Sequence, residues 1–316
     1  MKCNNTISVI VPSYNHGIYI EETLKSIIEQ DYEGVIEIII VDDCSSDNTL
    51  NILRNFENLK LENRKIIVHR KTKNKGLNDS IEIGLKYSAG SYVQLLASDD
   101  IILKNKLSVQ LNYLIEKKYD GIYSTGYILN DNNLSEINLS SFKKAYESGY
   151  AYQYICSRDF NAPLLQSGLF KKELFINTIE LRKNFKSDDW AFAIEVFKNY
   201  NIGYLDKYLF IYRNHEGNTY KKYLITFPMR VDVISRLVPI EIQSKAYSNI
   251  FYSHGVYLID DKKIILGLKF VFSSFILNPS LEKSLQILKL LVPKKLRKII
   301  KKYIIIQRKT TNQKVQ

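Results

Sequence analysis

Cysteine is scarce in this 316-residue chain: only Cys3, Cys44 and Cys156 occur, far apart in sequence. There is no CxxC pair and no Cys/His run with zinc spacing, which argues against a disulfide scaffold or a structural zinc module and fits a reducing cytosol. Long apolar runs are also missing. The longest mostly apolar stretch, IILGLKFVFSSFIL over 264–277, is short for a bilayer and carries Lys269 inside it, so no transmembrane helix is expected. The opening MKCNNTISVIVPSYN has one lysine and no apolar leader core, so no signal peptide is expected. A glycine-rich phosphate loop after the first apolar run is lacking too. PSYNHG stands there instead, which argues against a nucleotidyltransferase.

Acid is absent from the tail. Residues 294–316 contain nine Lys or Arg and no Asp or Glu, so they carry nine of the twelve net positive charges. The body is nearly balanced, which argues against a surface built to wrap nucleic acid. The stretch PKKLRKIIKKYI predicts a helix opened by Pro293. Leu296, Ile299, Ile300, Tyr303 and Ile304 share one face, and Lys294, Lys295, Lys298, Lys301 and Lys302 the other. Such a helix either packs on the protein or lies on an anionic membrane surface, and the lack of acid favours the membrane.

What is present in the first half is a regular alternation. ISVIVP (7–12), IEIIIV (36–41), KIIVHR (65–70) and SYVQLLA (91–97) are short apolar runs that predict strands. Between them 19–30, the segment after Ser46–Asp47 and 76–88, and after the last of them 104–117, have helical spacing. Ser46 or Asp47 is suited to accept the free N–H groups of the second helix. Alternation of this kind predicts a parallel sheet with right-handed crossovers, whose ligand site lies beyond the carboxyl ends of the strands. Position alone then brings Tyr14, Asp43, Asp99 and Asp100 to one edge. Residues 121–129 and 201–213 read as further strands, expected to add in antiparallel fashion, and 188–200 as a helix opened by two acids. From 221 the pattern is helical.

The pair Asp99–Asp100 is more acid than a turn needs. A cluster of carboxylates is costly without a cation, and oxygen-rich sites suit Mg²⁺ or Mn²⁺ bridged to substrate phosphates. Asp42 and Asp43 are acceptors fit for an imide N–H of uracil or thymine, and Tyr14 offers a flat face to a base. Arg70, Lys71, Lys73 and Lys75 precede a helix N-terminus at Gly76, an arrangement friendly to phosphate. Asp188 and Asp189 open a helix before Trp190. Arg213 and His215 fall on a loop.

Taken in order, SVIVPSYN, IIIVDDCSSDNT, NKGLNDSIEIGLKYSAGSYVQLLASDD, DDW and YRNH resemble the family 2 inverting glycosyltransferases of the GT-A fold, over roughly residues 7 to 215. The resemblance implies an α/β domain with a Rossmann-like, mostly parallel sheet flanked by helices over 1–220, and a C-terminal helical extension over 221–316. It implies metal-dependent, inverting transfer from a UDP- or dTDP-type sugar to a glycan or lipid-linked acceptor, in bacterial cell-surface polysaccharide synthesis. By that resemblance Pro12, Tyr14 and Asn15 frame the nucleotide and Asp43 reads the base. Arg213 and His215 match a diphosphate-facing loop, and Lys75, from the basic run before Gly76, is expected to help bind the nucleotide sugar. Asp100, with Asp99 nearer the ribose or metal, holds Mn²⁺ or Mg²⁺, and Asp189 is the catalytic base. Ala97 stands where many relatives carry a further acid, and Cys44 where glycine is commonest. With the basic tail, the expected location is cytoplasmic and peripheral on the inner face of the cell membrane. The alternative from the residues alone is a non-catalytic nucleotide-sugar-binding or receiver-like module. A receiver, however, would place its acid pair after the first strand.

Overall fold

A computed structural model describes residues 5–157, 162–185, 188–218 and 223–279. The chain divides into two compact units, Met1–Pro239 and Ile240–Gln316.

The first unit is built on β1 (Ile7–Ser13), β2 (Ile36–Asp42), β3 (Arg64–Arg70) and β4 (Tyr92–Leu95), joined by α1 (Ile20–Ile28), α2 (Thr49–Glu57) and α3 (Leu77–Tyr87). β1 and β2 are buried almost throughout, which is why they read as unbroken β-branched runs and not as alternating ones. Their side chains Ile7, Val9, Val11, Ile36, Ile38 and Ile40 form the core with Leu24, Ile27 and Leu53 of the helices. Then follow β5 (Ile101–Ile102), α4 (Lys106–Glu116), β6 (Gly121–Asn130) and β7 (Asn133–Glu136). After them come α5 (Ser140–Glu147), α6 (Ala151–Cys156), a 3₁₀ turn (Leu165–Ser167) and β8 (Leu169–Lys171). The unit continues through α7 (Lys172–Asn177), α8 (Ile179–Asn184), α9 (Asp188–Asn199), β9 (Ile202–Asn214) and α10 (Tyr223–Leu237).

The sheet order is β3-β2-β1-β4-β8-β6-β9-β5, with β7 paired to β6. β1 to β4 are mutually parallel. β8 runs antiparallel to both β4 and β6, and β6 is parallel to β9. The long strands β6 and β9 therefore point the same way as the first four, contrary to the antiparallel addition expected from the sequence. Only the short β5, β7 and β8 oppose them. Six strands thus end on one edge. At that edge lie the segments after β1 (Tyr14–Gly17), β2 (Asp43), β3 (Lys71), β4 (Asp99), β6 (Asp131) and β9 (His215).

The expected boundary at residue 220 differs from the division seen, because α10 packs against α9 and belongs to the first unit. The second unit, within the described residues, pairs α11 (Ile240–Asp260) with α12 (Ile264–Leu277). Gly255 and Gly267 let the backbones meet: a Cβ on either would lie within 2.8 Å of the other's carbonyl oxygen. The predicted helix at 294–304 lies outside the described residues. Among the described residues no helix is long and apolar enough to cross a membrane.

β5 is only two residues long, yet it fixes the far edge of the sheet to β9 through Ile101↔Ile211 and Ile102↔Phe210. Ile102 is almost wholly buried in the main core. Ile102→Ala is expected to destabilise the fold by about 2–5 kcal/mol, and Ile102→Val by about 0.5–1.5 kcal/mol. Urea denaturation of the two variants measures both.

Candidate active site

The loops after β1 and β2 are joined to each other. Asn15 N–H donates to Ser45 Oγ at 2.9 Å, and Ser46 N–H donates back to Asn15 Oδ1 at 2.8 Å. His16 N–H donates to Thr49 Oγ1, and Gly17 N–H to Asp47 Oδ2. Asp47 Oδ1 also accepts Thr49 N–H, so it caps the first turn of α2 as its sequence position suggests. Asn15 and Cys44 both sit in the left-handed region, φ 52° and 65°. That conformation at 44 explains why glycine would be the easier residue there. Tyr14 projects from this platform and is about half exposed (46%), while Pro12 lies within β1 opposite Val41. Asn15, expected to frame the nucleotide, directs its side-chain oxygen to the Ser46 loop.

Asp43 is buried beneath the segment that follows β3. Its Oδ1 accepts Lys75 N–H at 2.8 Å, its Oδ2 accepts Gly76 N–H at 2.7 Å, and Lys71 Nζ lies 2.6 Å from Oδ1. Lys71 is itself buried and also pairs with Asp79 at 2.6 Å. That ammonium therefore has internal partners, as has Arg70, which pairs with Glu57. Of the basic run, Lys73 and Lys75 keep exposed side chains. A carboxylate offers about four acceptor positions, and these three donors leave about one for an incoming N–H. Asp42, the acid before it, is fully buried and turns its Oδ2 back to Ser45 N–H.

Asp99 meets β9 from across the sheet. Its main-chain oxygen accepts Arg213 Nε–H at 2.9 Å, and its Oδ2 lies 2.8 Å from His215 Nε2. Gly217 N–H donates to His215 Nδ1 at 3.1 Å, and Nε2 is the ring nitrogen turned toward Asp99; a cation bound through Nε2 would require the ring proton on Nδ1 and this Gly217 contact given up. His16 Nδ1 approaches Asp99 Oδ1 at 3.9 Å and contacts Ser98 Oγ at 2.8 Å. Burial holds His16 below the usual imidazole range, against the opposing charge of Asp99. Arg213 extends to Glu22 at 2.6 Å and lies over the Tyr19 ring, which leans on His215.

His16, Asp99 and His215 offer ligand atoms that all lie within 4.8 Å of one another. Two imidazole nitrogens and a carboxylate oxygen fit a first-row divalent cation such as Mn²⁺ better than Mg²⁺, which prefers oxygen. Asp100, expected as the leading metal ligand, does not join that group. It is fully buried, and its Oδ1 accepts Arg213 N–H at 2.9 Å. Burial and the neighbouring Asp99 push its carboxyl well above the usual range, against the pull of the Arg213 N–H and Gln166. It fastens the turn after β4 to β9. His16 was missed in the sequence, although it stood two residues past Tyr14 at the same strand end.

Asp189 is exposed on the first turn of α9, with Oδ1 accepting Trp190 N–H at 2.8 Å. Trp190 is buried and donates its indole N–H to Ile155 O, which anchors the helix start. The side chain of Asp188 lies outside what is described. Beside His215, an open depression of about 580 Å³ is lined by Tyr19, Asn130, Asp131, Asn214 and Glu216.

An edge-sited cluster of this kind, beyond parallel strands, is the architecture of a GT-A transferase, and known proteins agree. The Glycosyl transferase family 2 profile matches residues 8–175. Glycosyltransferase GlyG of Streptococcus pneumoniae is 30% identical over 224 residues, covering 67% of this chain and 72% of that one. The GalNAc(5)-diNAcBac-PP-undecaprenol beta-1,3-glucosyltransferase of Campylobacter jejuni is 28% identical over 233 residues, 69% of this chain and 71% of that one. The putative teichuronic acid biosynthesis glycosyltransferase TuaG of Bacillus subtilis is 40% identical over 123 residues, 39% of this chain and 47% of that one, so the match spans about half of that relative. Among solved structures, Staphylococcus aureus TarS 1-349 with UDP-GlcNAc superposes with a TM-score of 0.58 at 20% identity, covering 88% of this chain and 77% of that one. The mannosyltransferase PcManGT of Pyrobaculum calidifontis, with GDP-Man and Mn2+, gives 0.60 at 17% identity, covering 92% and 82%. These two show the fold. The chain belongs to glycosyl transferase family 2, and it is a glycosyltransferase.

The Asp43 contacts carry a test of their own. Asp43→Asn removes one charge of a buried pair and turns an acceptor into a donor facing N–H groups. The loop 71–76 is expected to loosen by about 3–5 kcal/mol. Hydrogen exchange at the amides of Lys75 and Gly76 reads it directly, and unchanged protection there would mean that the loop is held by something else.

Proposed function

We propose that the protein transfers a sugar from a nucleoside diphosphate sugar, of UDP or dTDP type, to a hydroxyl of a glycan or lipid-linked glycan in bacterial cell-surface polysaccharide synthesis. The observation that carries this reading is the meeting of His16, Asp99 and His215 at the strand ends that also hold Asp43. Support comes from the C. jejuni relative, named for a diphospho-undecaprenol acceptor, and from TarS, solved with UDP-GlcNAc.

In this reading Tyr14 stacks on the base and the remaining acceptor position of Asp43 takes the imide N–H. Lys75 and Arg213 lie toward the diphosphate. Asp99 and His215 would hold Mn²⁺ or Mg²⁺, which when bound supplies positive charge to the leaving diphosphate. The acceptor oxygen attacks the anomeric carbon from the face opposite the diphosphate. The new C–O bond forms as the bond to the diphosphate oxygen breaks, so configuration inverts. Asp189 takes the proton of the attacking hydroxyl. Asp100 acts indirectly, by holding Arg213 and the Asp99 turn in register.

Asp189→Asn keeps the shape of the side chain and removes its basicity. It is expected to lower kcat by about 10² to 10⁴-fold with donor affinity nearly unchanged. Asp188→Asn should cost less, and wild-type kcat in the Asp189 variant would overturn the assignment.

The same reading places the enzyme peripherally on the inner face of the cell membrane, where a lipid-linked acceptor would be presented. Nine basic residues without an acid over 294–316 support it, as does the exposure of Ile265, Phe272 and Ile276 on α12. Truncation after Pro293 is expected to release the protein from anionic vesicles at low salt while leaving turnover of a soluble acceptor unchanged. A full-length protein that ignores such vesicles would remove the membrane assignment.

A further inference from the structure

We propose that His16 is a third ligand of the cation held by Asp99 and His215, and that through it the site prefers Mn²⁺ to Mg²⁺ and couples the cation to the loop that carries Tyr14. This rests on the donor-site reading above.

Three observations point to a ligand role. First, the distances suit one. His215 Nε2 and His16 Nδ1 stand 2.8 and 3.9 Å from the two oxygens of Asp99. Two neighbouring ligands of a first-row cation, with bonds near 2.1 Å, are about 3 Å apart, so the His215 pair stands close to that separation and the His16 ring would have to approach by about 1 Å. Second, the backbone of His16 already performs the structural work of its loop. Its N–H donates to Thr49 Oγ1, and its carbonyl accepts both Tyr19 N–H and Ile20 N–H at 2.9 Å. The imidazole is not required for any of these bonds, and its hydrogen-bond contact is with Ser98 Oγ. Third, the ring stands among the other site rings, with its centroid 5.8 Å from those of both Tyr19 and His215. It therefore belongs to the same wall as the residues that flank Arg213.

The chemistry of the set follows. Each imidazole that replaces an oxygen donor weakens a site for Mg²⁺ more than for Mn²⁺. A cation bonded to His16 would also add a link between the Asp99 turn after β4 and the Tyr14 platform after β1, which already meet through His16 Nδ1 and Ser98 Oγ. Binding a nucleotide base against Tyr14 would then strengthen cation binding, and by reciprocity the cation would strengthen nucleotide binding by the same factor.

The test titrates Mn²⁺ and Mg²⁺ into the full-length protein by calorimetry, with and without UDP. Electron spin-echo spectroscopy of bound Mn²⁺ counts the nitrogen ligands, and thermal unfolding checks the fold. Wild type is expected to show two nitrogen couplings. His16→Gln should show one, lose about tenfold or more in Mn²⁺ affinity, change little toward Mg²⁺, and lose most of the coupling between Mn²⁺ and UDP. His16→Asn serves where Gln disturbs folding. Unchanged Mn²⁺ affinity and two nitrogen couplings in the His16 variants, with binding abolished in Asp99→Asn, would overturn the inference and leave the donor site standing. Unchanged binding in Asp99→Asn as well, or no Mn²⁺ binding by wild type with UDP, would overturn both.

Discussion

Register between two short stretches of backbone decides where the chemistry sits. β5 follows the Asp99–Asp100 turn immediately, yet it pairs with β9, three places away from β4 in the strand order. In that antiparallel pairing Ile101 faces Ile211, so two residues further out Asp99 comes opposite Arg213. The Arg213 bond to the Asp99 carbonyl and the Asp100 bond to the Arg213 N–H are the continuation of this ladder by side chains. A slip of one residue would turn the opposite face of β9 toward the turn and remove His215 from Asp99.

The buried acids of the sheet divide by edge. Glu37, at the start of β2, accepts Ser8 Oγ–H, Ala89 N–H and Gly90 N–H, with Lys65 beside it. Burial would raise its carboxyl, but these donors outweigh that and hold it low. It is saturated by the fold and closes the turn into β4. At the other edge the acids are answered less completely. Asp43 keeps about one acceptor position, and Asp99 is matched by histidines, which can exchange a proton for a cation. The same residue type thus stands saturated at one edge, while at the other Asp42 and Asp100 hold turns and Asp43 and Asp99 keep acceptor capacity.

Much of this was legible in the sequence. β1 and β2 announced themselves as β-branched runs because both of their faces are covered, and the parallel order of β1 to β4 placed Tyr14, Asp43 and Asp99 at one edge. What could not be read depends on contacts between distant residues. The direction of β6 and β9 is set by their mutual pairing and by the antiparallel β8 inserted between β4 and β6. A two-residue strand such as β5 has no period to detect. Adjacent acids look alike in sequence, so nothing there told that Asp100 would be buried under Arg213 N–H while Asp99 faces His215. Lys71 read as a phosphate-facing cation for the same reason: its partners, Asp43 and Asp79, lie far from it in sequence or across a loop. His16 left a signal in YNH, but an isolated histidine acquires meaning only when its neighbours in space are known.

The four bonds that lace the loop after β1 to the loop after β2 have a bearing on how this site could change. Asn15, His16 and Gly17 each depend on Ser45, Ser46, Asp47 or Thr49 for backbone satisfaction. Neither segment is free to drift alone, since altering one strands the N–H groups of the other. Recombination between related enzymes, in nature or at the bench, would therefore transplant this platform intact only when 12–17 and 43–49 travel together as one heritable block.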